Sequence, residues 1–250
     1  MNMKRISFLT LAAVVAAMTI SSCKKQAESG EQNDSTAAKS ELAEGEVPDE
    51  EMEGNNNFYS PDLMMDELKG IVTKCTTRST NCDENGVPDQ DAYWTTITKV
   101  YDKDGMLDFG SKEMNWRLNN PRGERNAKGQ LTKVLWYVED YDTDIYDEYT
   151  YNADGTIKSC YSLGIESDDE IKYFYDDNFN LIKTTSEGAG EGSIFRSTMT
   201  YRILESDDEG NWTRRVVHQH FEDGEDDGSN KYTNEIYDYT VEERTITYRK

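Results

Sequence analysis

The sequence predicts an all-β domain, an antiparallel meander of repeated hairpins that forms an open or rolled sheet, with one short helix at its N-terminal end. A degenerate unit of strand, Asx-rich turn with glycine, and second strand recurs over residues 100–215. Flanking residues alternate with period two, as they do on a half-buried strand. The chain also contains 16 Tyr and 4 Trp within a hydrophobic content of 35%, and such amphipathic rings suit a half-exposed sheet.

The N-terminal residues 1–22 have the organisation of an export signal. Lys4 and Arg5 precede an apolar run over residues 6–20, and small residues lead directly to Cys23. The apolar run is shorter than the roughly 20 residues that a transmembrane helix needs. This arrangement predicts a signal peptide over residues 1–22 rather than a membrane-spanning anchor.

The motif ISSC at residues 20–23 resembles the lipobox of bacterial lipoproteins, with Cys23 as the acceptor thiol. The resemblance implies cleavage before Cys23 and acylation of it. Several acyl chains would then hold the protein on a membrane, at roughly 0.8 kcal/mol per buried methylene. Lys24 stands where an aspartate would favour retention at the inner membrane. We therefore expect an outer-membrane lipoprotein of a Gram-negative cell, on the periplasmic or the cell-surface face.

The next stretch is rich in Glu, Ser, Ala, Gly and Asn and has no aromatic residue. Such a segment cannot bury enough apolar surface to offset its chain entropy, so residues 23–57 are predicted to be a disordered acidic tether. Within it, the tripeptide DST at residues 34–36 resembles an O-glycosylation acceptor of some Gram-negative bacteria, which makes Ser35 a candidate site. The β-repeat domain is predicted over residues 58–250.

The acidity of the chain limits its partners. The formal net charge is −23, and removal of residues 1–22 moves it to −25 because two basic residues leave with them. A chain of this charge repels nucleic acid, so no nucleic-acid partner is expected. Three acidic runs, at residues 166–170, 205–211 and 222–228, are predicted to be solvated hairpin loops, because none has the ligand spacing of a Ca²⁺ loop.

A short helix is predicted near residues 61–69. Ser60 is a suitable N-cap, Pro61 suits the first helical position, and Gly70 can end the helix. We expect this helix to cover the first edge or face of the sheet that follows.

The repeated turn carries a glycine near its end. A hairpin loop built on a type I turn needs Asn or Asp early, to bond the backbone, and a residue at positive φ late, where glycine has no Cβ clash. In one unit the position aligned with these glycines is Phe179. Because phenylalanine adopts positive φ poorly, Asn178 or Asn180 is expected to take the left-handed conformation in that turn. The aligned positions, predicted to be hairpin tips and spaced by 24, 26, 24 and 31 residues, are Gly105, Gly129, Gly155, Phe179 and Gly210.

Alternation assigns the aromatic residues to one face of each strand. Thr, Lys, Glu and Asp lie between them, which is the composition of a solvated surface. Each strand is therefore predicted to have one apolar face and one solvated face. The same-face groups are Tyr149 and Tyr151; Ile171, Tyr173 and Tyr175; Met199, Tyr201 and Ile203; and Tyr237, Tyr239 and Val241.

These units resemble the YD-repeat (Rhs-like) family, in particular short secreted lipoproteins with a few YD-like units. The similarity runs roughly from Lys69 to the C-terminus and rests on a Tyr-Asp-x-x-Gly-x-Leu pattern. Tyr101, Asp102, Gly105 and Leu107 match it best, with one residue more before the glycine. The family motif is structural and brings no catalytic residues. Large members wrap their repeats into a shell, for which the units of this chain are too few, so an open or rolled sheet is implied.

Three residues form a candidate metal site. The two histidines of the chain, His218 and His220, alternate with Glu222 onto one strand face. Two imidazoles and a carboxylate at this spacing could hold Zn²⁺ with an open position. The same pattern also arises by chance on polar strand faces, so the leading interpretation includes no metal and no other cofactor.

The cysteines left after Cys23 are Cys75, Cys82 and Cys160, an odd number that cannot pair completely. Cys75 and Cys82 are close in sequence and the compartment is oxidising, so a short-loop disulfide between them is a candidate. Cys160 lies in an alternating strand pattern, which is typical of a small buried residue.

The sequence predicts a binding function rather than an enzyme. It contains no nucleophile elbow, glycine-rich phosphate loop or Cys–His pairing. We expect a lipid-anchored β-repeat module that binds a protein or glycan partner at the cell envelope. Aromatic side chains on a β surface can bind sugar rings. The candidate ligand-facing aromatic residues are Tyr93, Trp94, Trp116, Trp136 and Trp212.

Two alternative functions remain open at this point. One is a metal-dependent hydrolase or metal-binding protein centred on His218, His220 and Glu222. The other is a structural role in which a sheet edge pairs with a partner or with a second copy of the chain.

Overall fold

The structure is a computed structural model that describes residues 58–116, 121–228 and 231–250. The predicted signal peptide, Cys23, the tether and Ser35 lie outside these residues. The described elements are α1 (Pro61–Met65), β1 (Val72–Asn81), β2 (Thr95–Val100), β3 (Arg122–Arg125), β4 (Leu131–Val138), a 3₁₀ turn (Glu139–Tyr141), β5 (Thr143–Tyr151), β6 (Ile157–Leu163), β7 (Ser167–Tyr175), β8 (Leu181–Gly190), β9 (Ser193–Ser206), β10 (Trp212–Glu225) and β11 (Asn234–Tyr248).

All the strands in the described ranges belong to one antiparallel sheet, which confirms the predicted all-β meander. From β3 to β11 each strand pairs with the next one in sequence. β1 then pairs with β11, and β2 pairs with β1, so the first and last strands lie side by side. β2 and β3 are the two edges. No strand pairing joins them in the residues described, so the sheet is not closed.

The sheet curls around one core. Val72 and Cys75 of β1 belong to the same buried cluster as Trp136 of β4, Tyr149 of β5 and Cys160 of β6. These strands lie far apart in the sheet order, so they share a core because the sheet is rolled. The connection from β2 to β3 runs from one edge to the other and contributes further buried residues to this cluster, which are Tyr101, Leu107 and Trp116.

The repeated turn keeps one backbone geometry at the aligned tips. The φ angle is positive at all of the aligned positions, from 64° at Phe179 to 91° at Gly155. In the turn between β7 and β8, the Phe179 N–H donates to the Asp176 carbonyl at 3.0 Å. The Asp176 carboxylate accepts the N–H groups of Asn178 and Asn180, both at 2.9 Å. The early Asx residue therefore bonds the backbone as the turn chemistry requires.

The expectation that Asn178 or Asn180 takes the left-handed conformation is wrong, because Phe179 itself adopts it. The strain of a non-glycine residue in this region is about 1–3 kcal/mol. Two contacts offset it. The turn hydrogen bonds hold the backbone, and the Phe179 ring packs edge-on against Phe58, with 6.2 Å between ring centroids.

Residues 58–70, which we call the plug, lie across the hairpin tips at one end of the roll. The predicted helix begins at Pro61 but ends at Met65 rather than near Lys69, because Glu67 adopts a left-handed φ of 56°. The plug therefore covers an end of the roll instead of an edge or face of the sheet. Its polar contacts with successive turns are Ser60 Oγ to Gly105 O (2.6 Å), Leu181 N to Glu67 Oε1 (2.7 Å) and Lys69 N to Asn211 Oδ1 (2.6 Å).

The convex face is covered where the loop of residues 82–94 folds over β9 and β10. Gly86 of this loop has a φ of 83°, and a Cβ there would lie 2.8 Å from Val216 Cγ2 and 3.1 Å from Leu204 Cδ1. Glycine is therefore required both by the backbone and by the close approach. Arg214 holds the loop by donating to the Gly86 carbonyl at 2.9 Å.

Candidate ligand-binding trough

The concave face of the rolled sheet holds a cavity of about 270 Å³, which we call the trough. Its walls come from β2 and from β5 to β11, since alternate side chains of each strand point to this face. The plug residues Met65, Asp66 and Glu67 also line it. The trough is therefore built by most of the sheet and bounded at one end by the plug.

Three tyrosines, Tyr149, Tyr173 and Tyr201, line the trough from alternate strands. Burial raises the pKa of Tyr201 to about 12 and the pKa of Tyr173 well above its ordinary value. Both hydroxyl groups are therefore protonated at neutral pH. A neutral phenol offers an aromatic face together with a group that donates and accepts hydrogen bonds.

A buried ion network lies where β10 and β11 meet the plug. Arg215 Nη1 donates to Glu67 at 2.9 Å, and Arg215 Nε donates to Glu242 at 2.7 Å. The guanidinium also lies over the Trp212 ring, 3.9 Å from its centroid. Burial alone would lower the pKa of Arg215, but the carboxylates of Glu242 and Glu67 raise it above its ordinary value. Arg215 is thus a fixed cation with two carboxylate partners.

A second ion pair lies beside the plug. Lys99 Nζ bonds the Asp66 carboxylate and lies over the Trp116 ring, 4.0 Å from its centroid. The Tyr101 hydroxyl donates to the other Asp66 oxygen at 2.7 Å. Burial, and then the charge of Asp66, raises the pKa of Tyr101 well above its ordinary value. The phenol therefore stays a hydrogen-bond donor to Asp66.

Carboxylates line the wall of the trough that β5 and β7 form, across from the arginines of β10 and β11. Ser162 lies between Asp147 and Asp169 in the strand register. The Ser162 hydroxyl donates to Asp147 Oδ1 at 2.8 Å, and the Tyr149 hydroxyl donates to Asp147 Oδ2 at 3.3 Å. This wall therefore presents acidic and hydroxyl groups held by neighbouring strands.

Arg244 differs from the other two cations of the trough. Its guanidinium lies over the Trp212 ring, 3.6 Å from the centroid. Its Nε and Nη1 atoms are buried and have no hydrogen-bond partner among the described residues. A buried donor without a partner costs about 1–3 kcal/mol, and more when it is charged. The trough thus contains one cation whose hydrogen-bonding capacity is unused.

The structure places the candidate ligand-facing aromatic residues in different environments. Trp116 lines the trough, whereas Trp136 and Trp212 are buried in the protein, at 0% and 1% exposure. Trp94 is half-buried and Tyr93 is 76% exposed, and neither lines the trough. The indole rings of Trp136 and Trp212 thus fill the interior, whereas Trp116 and the tyrosines of the strands provide the aromatic surface of the cavity.

The candidate metal ligands lie on the convex face. His218 and His220 stack on tyrosines of β11, with centroid distances of 4.6 and 4.5 Å. Potential ligand atoms of His220, Glu222 and Glu235 lie within 4.8 Å of one another, and His218 is not in this group. Glu235, which lies opposite Glu222 on the neighbouring strand, takes the position that the sequence pattern assigned to His218.

The three clustered side chains already have protein partners. Glu222 accepts hydrogen bonds from Arg196 Nε at 2.5 Å and from Arg196 Nη2 at 2.7 Å. His220 Nε2 lies 2.7 Å from Glu235 Oε1. A metal ion at this position would therefore compete with the Arg196–Glu222 ion pair and with the hydrogen bond between His220 and Glu235.

The candidate disulfide between Cys75 and Cys82 does not form in this structure. Cys75 lies within β1 and Cys82 directly follows its last residue, so several extended steps of about 3.3 Å separate them, far beyond the roughly 7 Å between Cα atoms that a disulfide can bridge. Among the described residues, Cys75, Cys82 and Cys160 form no disulfide, and Cys160 is buried at 2% exposure.

The acidic runs do not all form loops. Residues 205–211 include a hairpin tip, but residues 167–170 belong to β7 and residues 222–225 complete β10. The loop prediction is wrong there because residues 167–170 and 222–225 pair with neighbouring strands. On β7 the alternation places Asp168 and Glu170 in a convex groove of about 290 Å³.

The ionic residues of the trough are not predicted from the sequence, because period-two alternation assigns the polar face of every strand to solvent. On β11 the structure reverses that assignment, since Glu242 and Arg244 line the trough while Tyr239 lies outside against His218. The feature of the sequence that could have indicated this ion pair is the opposite charge of Arg215 and Glu242. Only the strand register shows that these two residues are cross-strand partners.

Comparison with protein-family models, with curated proteins and with solved structures finds no match. In the described ranges, no helix has the length and apolar character needed to cross a bilayer.

Proposed function

We propose that the protein is a non-enzymatic binding module, held at the outer membrane by lipid on Cys23, and that its trough binds a glycan partner. The observation that carries this proposal is the trough, a cavity of about 270 Å³ lined by tyrosine rings and by fixed polar groups. Small-molecule sites combine aromatic or apolar walls with a few polar groups that set the ligand's orientation. The lipobox-like motif at residues 20–23 supports the membrane anchor.

The lining suits a sugar better than a protein surface. Tyr149, Tyr173 and Tyr201 offer ring faces of the kind on which a pyranose packs. Asp147 and Ser162 offer acceptors and a hydroxyl to the hydroxyl groups of a sugar. The cavity is slightly smaller than the roughly 300–1,000 Å³ typical of ligand pockets, so it suits a small unit of a glycan chain.

The arrangement of ionisable groups supports binding rather than turnover. His218 and His220 lie on the convex face, so neither can act as a general base in the trough. Glu67 and Glu242 are both bonded to Arg215. Both carboxylates therefore serve to hold a fixed cation in place.

Filling the trough tests the proposal. Ser186 lines the trough from β8, whereas its neighbour Thr185 points to the opposite face. We expect Ser186→Phe to abolish binding of glycan fragments and Thr185→Phe to retain it. Isothermal titration of both variants against a panel of envelope glycan fragments measures the difference, with circular dichroism to verify folding.

Two outcomes would contradict the proposal. If both variants bind like the unaltered protein, the trough is not the site. If the unaltered protein turns over esters, peptides or glycosides and Ser186→Phe abolishes that turnover, the protein is an enzyme.

A second candidate function is metal binding, with metal-dependent hydrolysis as its extension, and the convergence of His220, Glu222 and Glu235 favours it. One imidazole and two carboxylates could hold Zn²⁺ and leave an open position. Elemental analysis of protein purified without chelator, followed by Zn²⁺ titration, tests it. We expect His220→Ala to remove binding and His218→Ala to preserve it. Absence of stoichiometric metal together with no Zn²⁺-induced thermal shift would remove this candidate.

A further inference from the structure

We infer that the glycan bound in the trough carries a carboxylate and that Arg244 binds this group. The inference rests on the proposed function and names its ligand class, an acidic glycan that contains a uronic or other carboxylated sugar. It starts from a difference among the three cations that line the trough, which are Lys99, Arg215 and Arg244.

The first two cations are neutralised within the protein. Lys99 is paired with Asp66, and Arg215 is paired with both Glu67 and Glu242. Neither has a free charge to offer a ligand. An anionic ligand would therefore gain little from approaching them, because it would have to displace a carboxylate that is already well placed.

Arg244 is held in position by an aromatic ring, and no ion pair with a carboxylate is found for it among the described residues. The Trp212 ring supports one face of its guanidinium at 3.6 Å, which restricts the side chain without using its N–H groups. Nε and Nη1 have no hydrogen-bond partner among the described residues. In a planar guanidinium, Nη2 forms a parallel pair of N–H donors with either Nε or Nη1, and such a pair matches a carboxylate. A ligand carboxylate in the cavity that Arg244 lines would therefore give one of the two unpartnered nitrogens its acceptor.

The opposite wall favours a carboxylate over a phosphate. Asp147 and Asp169 line the same cavity, and their negative charge repels any anion that enters. A carboxylate brings one charge, whereas a phosphate ester brings about two at neutral pH and is repelled more strongly. The sugar hydroxyl groups can meanwhile face the Asp147 and Ser162 side, so an acidic sugar matches both walls of the trough.

Matched pairs of sugars test the inference on the full chain. Glucuronate is compared with glucose, galacturonate with galactose, and glucose 6-phosphate serves as the phosphate probe, all by NMR-detected titration. We expect each uronate to bind about tenfold more tightly than its neutral counterpart, the effect of one charge-assisted bidentate contact. Arg244→Gln should abolish this preference, so that each uronate binds no more tightly than its neutral counterpart.

Two variants control for folding and for the loss of a buried arginine. Arg244→Lys keeps the charge but loses the planar fork, so it should retain only part of the preference. Arg214→Gln removes an arginine whose Nε is likewise buried without a hydrogen-bond partner among the described residues, although it lies 3.6 Å from Glu243 Oε1. Arg214 lies on the convex side against Gly86. The Arg214→Gln variant should keep the full preference for uronates.

Each outcome bears on the inference. Equal binding of uronates and neutral sugars, or a preference that persists in Arg244→Gln, overturns it and leaves the proposed function standing. Tighter binding of glucose 6-phosphate than of glucuronate overturns the choice of a carboxylate. If neither the uronates nor the neutral sugars bind, the proposed function fails together with the inference.

Discussion

The two faces of strands β9 to β11 carry similar ion pairs in opposite environments. On the concave face, the Arg215 side chain is 9% exposed and bonds both Glu67 and Glu242. On the convex face, the Arg196 side chain is 47% exposed and bonds Glu222 through two hydrogen bonds. The chemical groups are the same. The two ion pairs differ in burial. Loss of one partner therefore leaves an unpaired charge away from water only on the concave face.

The comparison shows that the position of a charged residue in the roll decides its role. An exposed pair gains little Coulomb energy in water and is screened by salt. A buried pair must be complete, because a lone charge in the interior has no solvent to stabilise it. The concave face therefore holds Arg215 in place through its buried partners.

The largest expected effect comes from breaking the concave network. Glu67→Gln should lower the free energy of unfolding by about 3–5 kcal/mol, because Arg215 loses a buried carboxylate partner. Urea denaturation followed by tryptophan fluorescence measures it. The matched change on the convex face, Glu222→Gln, should shift the curve by less than the experimental error. Equal losses in the two variants would show that the faces do not differ in burial as described.

A smaller effect is expected where a loop covers the convex face. Gly86 and Gly192 both have positive φ, but a Cβ would clash with Val216 and Leu204 at Gly86 and would meet nothing within 4 Å at Gly192. Gly86→Ala should therefore be less stable than Gly192→Ala by about 1–3 kcal/mol, the usual cost of overpacking. Thermal unfolding of both variants isolates the steric contribution. Identical melting temperatures would contradict the coverage of the convex face by residues 82–94.

The smallest effect concerns the thiols. Burial, followed by the charges of Asp83 and Asp89, raises the pKa of Cys82 to about 11. Its alkylation rate in the native protein should therefore still be rising between pH 9 and pH 11, where an ordinary thiol of pKa roughly 8.5 has levelled off. Mass spectrometry after a short iodoacetamide pulse measures this rate. Cys75 and Cys160, which are buried, should remain unlabelled in the same pulse.

The sign of the accompanying stability change follows from linkage. The thiol of Cys82 ionises earlier in the unfolded chain than in the folded one, so the unfolded state loses its proton first as pH rises. Stability should decrease between roughly pH 8.5, the unfolded value, and about pH 11. Cys82→Ser should make this decrease smaller, and the part that remains comes from buried tyrosines such as Tyr173 and Tyr201, whose pKa values are also raised. A rate that levels off near pH 9 in the native protein would contradict the raised pKa.

The sequence by itself determined the turns, the strands and the all-β class, because these depend on neighbouring residues. Asp176 bonds the backbone two and four residues later, and a residue at positive φ completes the same turn. Period-two alternation placed Tyr173 and Tyr201 on the inner face of their strands, and the structure puts both in the trough. Ser60 and Pro61 likewise marked where the helix begins.

Only the tertiary structure decided which face of each strand is interior and where the ionic groups meet. The pairing of β1 with β11 joins residues such as Thr77 and Arg244, which are far apart in sequence, and no local pattern encodes that register. Rolling the sheet then turned the polar face of β11 inward, so Glu242 meets Arg215 and Arg244 lines the cavity. Hydrophobic alternation cannot report this, because a buried charge is stabilised by partners that arrive from distant strands.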